Sequence, residues 1–188
     1  MPAPTSYLTL LRGINVGGNN LIKMAALREC FESNGFADVS TYIQSGNVLF
    51  RSRAADLKRL TRKIERMLSE EFSYEARVVV ISHDRLRAIV EGAPKGFGIK
   101  PADYLSDVIF LRPPLSAAEA MREVQTREGV DEAAAGDGVL YFSRLKAKAS
   151  GSRLSKIVTS PIYPQVTIRS WSTTTKLLGK LDELPVTA

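Results

Sequence analysis

The stretch Val39-Ser40-Thr41-Tyr42-Ile43-Gln44-Ser45-Gly46-Asn47-Val48-Leu49-Phe50 fixes the topology of the first half of the chain. Residues 39–43 are rich in β-branched and aromatic side chains, and residues 48–50 are continuously apolar. Between them Gln44-Ser45-Gly46-Asn47 is turn chemistry, so the stretch predicts a β-hairpin. Upstream, Met24, Leu27 and Phe31 recur at i, i+3 and i+7, the spacing of one helical face. Gly35 stops that helix, because glycine takes a left-handed C′ conformation without a steric penalty. Before the helix, residues 7–12 read as a short apolar strand ended by Gly13. After the hairpin, Leu57, Leu60, Ile64, Met67 and Leu68 share one stripe of a second helix, and residues 77–81 form a fourth strand. The order βαββαβ is that of a ferredoxin-like unit.

Beyond a short helix at 83–91, the glycines and prolines of residues 92–101 read as a linker. The element order then repeats. Residues 108–111 are a strand. Ser116 and Glu119 have capping-box spacing and open a helix through Met121 and Val124. A weak strand starts near Val130, and Gly136-Asp137-Gly138 is a turn before a strong strand at 139–142. A helix near 154–158, a strand at 166–168 and a C-terminal helix through Leu177, Leu178 and Leu181 follow. The expected fold class is α+β, with two tandem ferredoxin-like βαββαβ units: 1–82 the first, 83–106 helix and linker, 107–188 the second with its C-terminal helix. Residues 48–50, 78–81 and 139–142 are apolar on both strand faces, so both faces of each sheet should be covered. One face takes the unit's own helices. The other requires the second unit, giving one compact body, or a second copy of the chain, giving a homodimer.

Bulk properties narrow the class. At 188 residues the chain is long enough for a sizeable core. It contains no apolar run of membrane-spanning length, so no membrane association is expected. Met1-Pro2-Ala3-Pro4 lacks the basic-then-apolar pattern of a secretory signal. Cys30 is the single cysteine, which excludes an internal disulfide and fits a reducing, cytoplasmic setting. The net charge of +6 is unevenly spread: residues 138–181 contain no acid but eight bases, namely Arg144, Lys146, Lys148, Arg153, Lys156, Arg169, Lys176 and Lys180. Gathered on one face, such a stretch focuses positive potential; spread out, it is a solvated surface balanced by acids elsewhere.

Three motifs resemble a bacterial family that is itself a domain of unknown function, family sixteen-ninety-seven. The first is Leu10-Leu11-Arg12-Gly13-Ile14-Asn15-Val16-Gly17-Gly18, followed by Lys23-Met24. The second is Thr41-Tyr42-Ile43-Gln44-Ser45-Gly46-Asn47-Val48-Leu49-Phe50. The third is Ser155-Lys156 with Arg169-Ser170-Trp171-Ser172-Thr173, where serine stands for both asparagines of the family's Arg-Asn-Trp-Asn-Thr. The resemblance implies fold and membership and brings no activity with it, so function rests on residues.

Two clusters are candidate sites for a small anionic ligand, such as a nucleotide or phosphorylated metabolite. Parallel first and second strands put Arg12, Asn15, Gly17 and Gly18 at the same sheet end as Gln44, Ser45 and Asn47. Glycines there let backbone N–H groups converge on an anion, and the amides and Arg12 add donors. The same residues equally serve as tight turns braced by their own side chains. The second cluster joins Lys156 to Arg169 and Trp171, with positive charge, free helical N–H groups and an indole able to stack on a ring. Its structural counterpart is a basic loop with Trp171 anchoring the last helix.

Enzymatic signatures are weak: His83 is the lone histidine, no phosphate-loop glycine pattern occurs, and one cysteine with one histidine cannot close a zinc site. No motif specifies a cofactor or catalytic residue. The third strand lacks the aromatic pair of an RNA-recognition sheet, which leaves nucleic-acid backbone contact by the basic C-terminal region as the alternative, beside a non-catalytic dimerising module.

Overall fold

The computed structural model describes residues 4–18 and 20–184. Met1 to Ala3 of the N-terminal reading and Asn19 of the glycine-rich loop lie outside the described residues. The elements are β1 (Thr5–Leu11), α1 (Met24–Ser33), β2 (Ala37–Tyr42), β3 (Asn47–Ser52), α2 (Leu57–Phe72), β4 (Val78–Ser82) and α3 (His83–Glu91). They continue with β5 (Tyr104–Leu111), α4 (Ala117–Glu123), β6 (Asp131–Ala135), β7 (Val139–Leu145), β8 (Val166–Ser170) and α5 (Trp171–Asp182). Two four-stranded antiparallel sheets result, ordered β2-β3-β1-β4 and β6-β7-β5-β8. Each is the sheet of a ferredoxin-like unit. Residues up to Leu86, with those from Leu177 onward, form one compact unit, and Arg87–Lys176 form the other.

In the first unit, α1 and α2 pack on one face of the sheet. Tyr7, Leu11, Val48, Phe50, Val78 and Val80 meet Leu27, Phe31, Leu60, Ile64 and Leu68 there. Phe50 is the hub of an aromatic cluster, with ring centroids 4.8 Å from Phe36 and 5.3 Å from Phe31. Such tilted and edge-on pairs add to burial. On the opposite face Leu8, Leu10 and Leu49 are fully buried too, as the two-sided apolar strands require. Tyr7 and Phe50 are buried, so β1 and β3 present no aromatic platform for RNA.

In the second unit, Ile109, Leu111, Leu140 and Phe142 pack with Ala120, Ile157 and Ile162. Ser116 completes the expected capping box, accepting from Glu119 N–H while Glu119 accepts from Ser116 N–H. The strand expected at 108–111 begins four residues earlier. The helix expected near 154–158 is absent. Residues Lys146–Gly151, Leu154–Thr159 and Tyr163–Gln165 form short 3-10 turns instead. Gly151, Pro161 and Pro164 interrupt the segment, and no sustained apolar stripe holds an α-helix onto the sheet. Residues 92–101 fold back on their own unit: the Phe97 ring lies 5.3 Å from Tyr141 and 5.1 Å from Trp171, both edge-on.

Candidate functional site: a cavity on the outer face of the second sheet

Register defines this site. Glu132 pairs with Ser143, and Ser143 with Ser106. Directly opposed residues project to the same face, so Glu132, Ser143 and Ser106 form a polar row across β6, β7 and β5. The row faces away from the core of Ile109, Leu140 and Phe142. Beside it runs a second row, Ala134, Tyr141, Val108 and Arg169. The loop over residues 94–100, including Lys95 and Lys100, and the polar row line an open cavity of about 400 Å³ together with Tyr104. That volume lies within the range of small-molecule sites, roughly 300–1,000 Å³.

The loop's shape is set by contacts in its own unit. Gly98 has φ +73°, and a β-carbon there would meet the Trp171 ring at 2.0 Å. Tyr141 closes the other side, its hydroxyl donating to Ile89 O at 2.6 Å. Ser106 and Ser143 are half-buried, Glu132, Lys95 and Lys100 exposed. A half-buried hydroxyl facing a cavity takes its hydrogen bond from water or a ligand.

The residues singled out from sequence fall into three places. Arg12, Asn15, Gly17 and Gly18 do stand beside Gln44, Ser45 and Asn47. Leu11 N–H donates to Gly46 O at 2.8 Å, and Asn15 Nδ2 donates to Gln44 O at 2.9 Å. The Asn15 amide is occupied within the loop, since Nδ2 also donates to Ile22 O and Oδ1 accepts from Ile22 N–H. Asn47, fully buried, donates to Tyr42 O and Ser45 Oγ. Gly17 and Gly18 take φ of 60° and 80°. Arg12 N–H donates to Arg77 O.

The second cluster is divided. The ends of β7 and β8 share one end of the sheet, as topology demands, but Ile168 packs with Ile157 in the core, which turns its neighbour Arg169 to the other face. Lys156 is exposed on the core side of the sheet, so it does not meet Arg169. Arg169 is buried, donates to Ile168 O at 2.9 Å and is pushed down to about 10 by desolvation, so it stays charged at neutral pH. Trp171 opens α5 and braces the cavity loop. Asp131 Oδ2 accepts from the backbone N–H of Arg127 and of Arg153, which stands just before the 3-10 turn Leu154–Thr159.

His83 pairs with Asp182, tying the start of α3 to the end of α5. Among the described residues no group of three or more His, Cys, Asp or Glu is placed to hold a metal ion, and no helix is long and apolar enough to cross a membrane.

The family model described as "Protein of unknown function (DUF1697)" matches residues 5–141. The chain belongs to the DUF1697 family. A solved structure, that of conserved bacterial protein SP0830 from Streptococcus pneumoniae, is similar to it at 26% identity and a TM-score of 0.83, covering 95% of this chain and 99% of that one. A comparison with curated proteins gives no match. Ser170 Oγ accepts from Thr173 N–H at 3.2 Å, the bond of an N-cap, and serine and asparagine cap helices about equally well.

The cavity was not visible in the sequence. Its signal is the alternation of Tyr104 and Ser106 with Leu105 and Asp107 before an apolar run, which extends β5 and marks one polar face. The glycines at 96 and 98 masked it by reading as a linker.

Proposed function

We propose that this chain is a binding protein for a small anionic ligand, such as a nucleotide or phosphorylated metabolite, held in the cavity beneath residues 94–100. The row Glu132, Ser143, Ser106 is the observation that carries this reading. Three polar side chains face a concave space, and no protein partner is present for them among the described residues. Lys95 and Lys100 at the rim attract an anionic group; neither has an ion-pair partner among the described residues. Ser106, Ser143 and Tyr104 supply hydroxyls, and Glu132 accepts from ligand hydroxyl or amino groups. The chemistry is recognition; no nucleophile with an adjacent base belongs to this reading. The glycine and asparagine loops of the first unit act here as frame. Cys30, buried and unpaired, fits a cytoplasmic setting.

A thermal-shift screen with nucleotides and sugar phosphates at millimolar concentration tests the proposal. A ligand at about a hundred times its Kd stabilises by ~2.7 kcal/mol, an easily read shift. The expected hit stabilises the natural chain and loses its effect in Ser143→Val and in Lys95→Ala/Lys100→Ala. A hit unaffected by these substitutions, or none across the screen, refutes it.

A further inference from the structure

The first unit carries a second, chemically different feature. Helix α2 begins at Leu57 behind the N-cap Asp56, whose side chain accepts from Arg59 N–H, and its first turn contains no acidic residue. Lys58 and Arg59 stand there instead. Cations near a helix N-terminus oppose the macrodipole, so the sequence places positive charge where the helix least favours it. Arg59, Arg62, Lys63 and Arg66 follow at i, i+3, i+4 and i+7, on one face flanking the buried stripe of Leu60, Ile64 and Met67. The row spans about 10 Å along the axis.

These four side chains line a groove of about 550 Å³ whose other walls are Phe36, Ser52, Ala54 and Leu60, so no carboxylate lines it. Lys63 is fixed at its edge, donating to Asn34 O at 2.7 Å and lying 4.5 Å from the Phe36 ring centroid. Arg66 approaches Glu70 only at 4.0 Å, with both side chains largely exposed. Arg59 and Arg62 have no ion-pair partner among the described residues. The elongated row of the Arg59, Arg62 and Arg66 guanidinium groups, with the Lys63 ammonium at its edge, matches a chain of phosphates better than a single anion, because successive charges can meet successive phosphates.

We infer that this groove along α2 is a binding site for a linear phosphate chain, as in the backbone of single-stranded nucleic acid or in inorganic polyphosphate. The site lies in the first unit and is independent of the cavity proposed above. It also differs from the basic 138–181 stretch. Recognition there is electrostatic and indifferent to base sequence.

Fluorescence anisotropy with the full chain, a labelled single-stranded oligonucleotide and inorganic polyphosphate as competitor tests this. Binding of at least one polyanion at low salt is expected, with affinity falling as salt rises. In Arg59→Ala/Arg62→Ala/Arg66→Ala the affinity should drop at least tenfold, as an order-of-magnitude expectation, and the slope of log K against log salt should shrink by about 0.7 per lost contact. The Arg→Lys triple variant should keep the slope. All three positions are exposed, so an unchanged melting midpoint certifies the fold. Oligonucleotide bound more tightly than polyphosphate of equal charge identifies nucleic acid as the source; polyphosphate binding without oligonucleotide binding identifies the bare chain. Failure of both to bind at low salt overturns the inference, as does unaltered affinity and slope in the alanine variant.

Discussion

Gly98 and Trp171 are in such close register that a β-carbon on residue 98 would fall 2.0 Å from the indole Cδ1. The loop over the cavity passes the tryptophan at backbone distance, and only glycine fits. Positive φ at 98 adds a second demand for glycine. Gly98→Ala should therefore lower stability by about 1–3 kcal/mol, read from the urea midpoint, and should abolish any ligand response of the cavity. An alanine variant of unchanged stability would show that the loop does not rest on Trp171.

In the first unit, Gly46 meets Ile14 and Leu11. A β-carbon there would lie 2.6 Å from Ile14 Cδ1 and 2.8 Å from Leu11 Cβ, at φ +75°. Gly46→Ala should cost about 2 kcal/mol or more, because Leu11 and Ile14 belong to the buried core. Chemical denaturation at neutral pH measures it; a loss below half a kcal/mol, as an order-of-magnitude threshold for a neutral surface change, would contradict the close packing of the two motif loops.

Ser170 caps α5, so its replacement separates a capping from a ligand-binding role at this position. Ser170→Ala should cost about 1 kcal/mol, whereas Ser170→Asn should be nearly neutral. Equal stability of all three chains would remove the capping explanation.

Alkaline pH should weaken the first unit. Burial, reinforced by the charge of Glu71, pushes the Cys30 thiol up to about 11 from 9.0. Burial, and then Cys30, pushes the Tyr74 hydroxyl up to about 12 from 10.0. Both groups keep their protons in the folded chain after the unfolded chain has shed them, so folding binds protons. Their contribution is full below pH 9 and is lost as pH rises through about 11 and 12. Stability at pH 10 should fall below that at pH 8 by on the order of 1–2 kcal/mol, and Cys30→Ala should flatten the decline. A pH-independent urea midpoint over this window would contradict it. In the folded chain the same thiol should react slowly with iodoacetamide at pH 8.

Much of the fold was legible because hydrophobic period and turn chemistry agreed. Leu57, Leu60, Ile64 and Met67 sit on one helical face, and Gly46 in the hairpin turn is where the chain reverses. The 3-10 segment was not legible as such, because Leu154 and Ile157 mimic the start of a helical stripe that Pro161 and Pro164 then deny. Site residues were harder for a physical reason. Strand alternation sends Ile168 and Arg169 to opposite faces, so residues adjacent in sequence part company, while Glu132, Ser143 and Ser106 meet only through register. Side-chain bonding was equally hidden: Asn15 looks the same in a sequence whether its amide faces a ligand or Ile22 and Gln44.

The most direct test of the central claim is an amide NMR titration of the full chain with a nucleoside monophosphate and a pentose phosphate as probes. The proposed cavity predicts saturable shifts at residues 95–100 and at Ser106, Glu132 and Ser143. Shifts confined to residues 13–20 and 44–47, or no shifts with either probe, would contradict it.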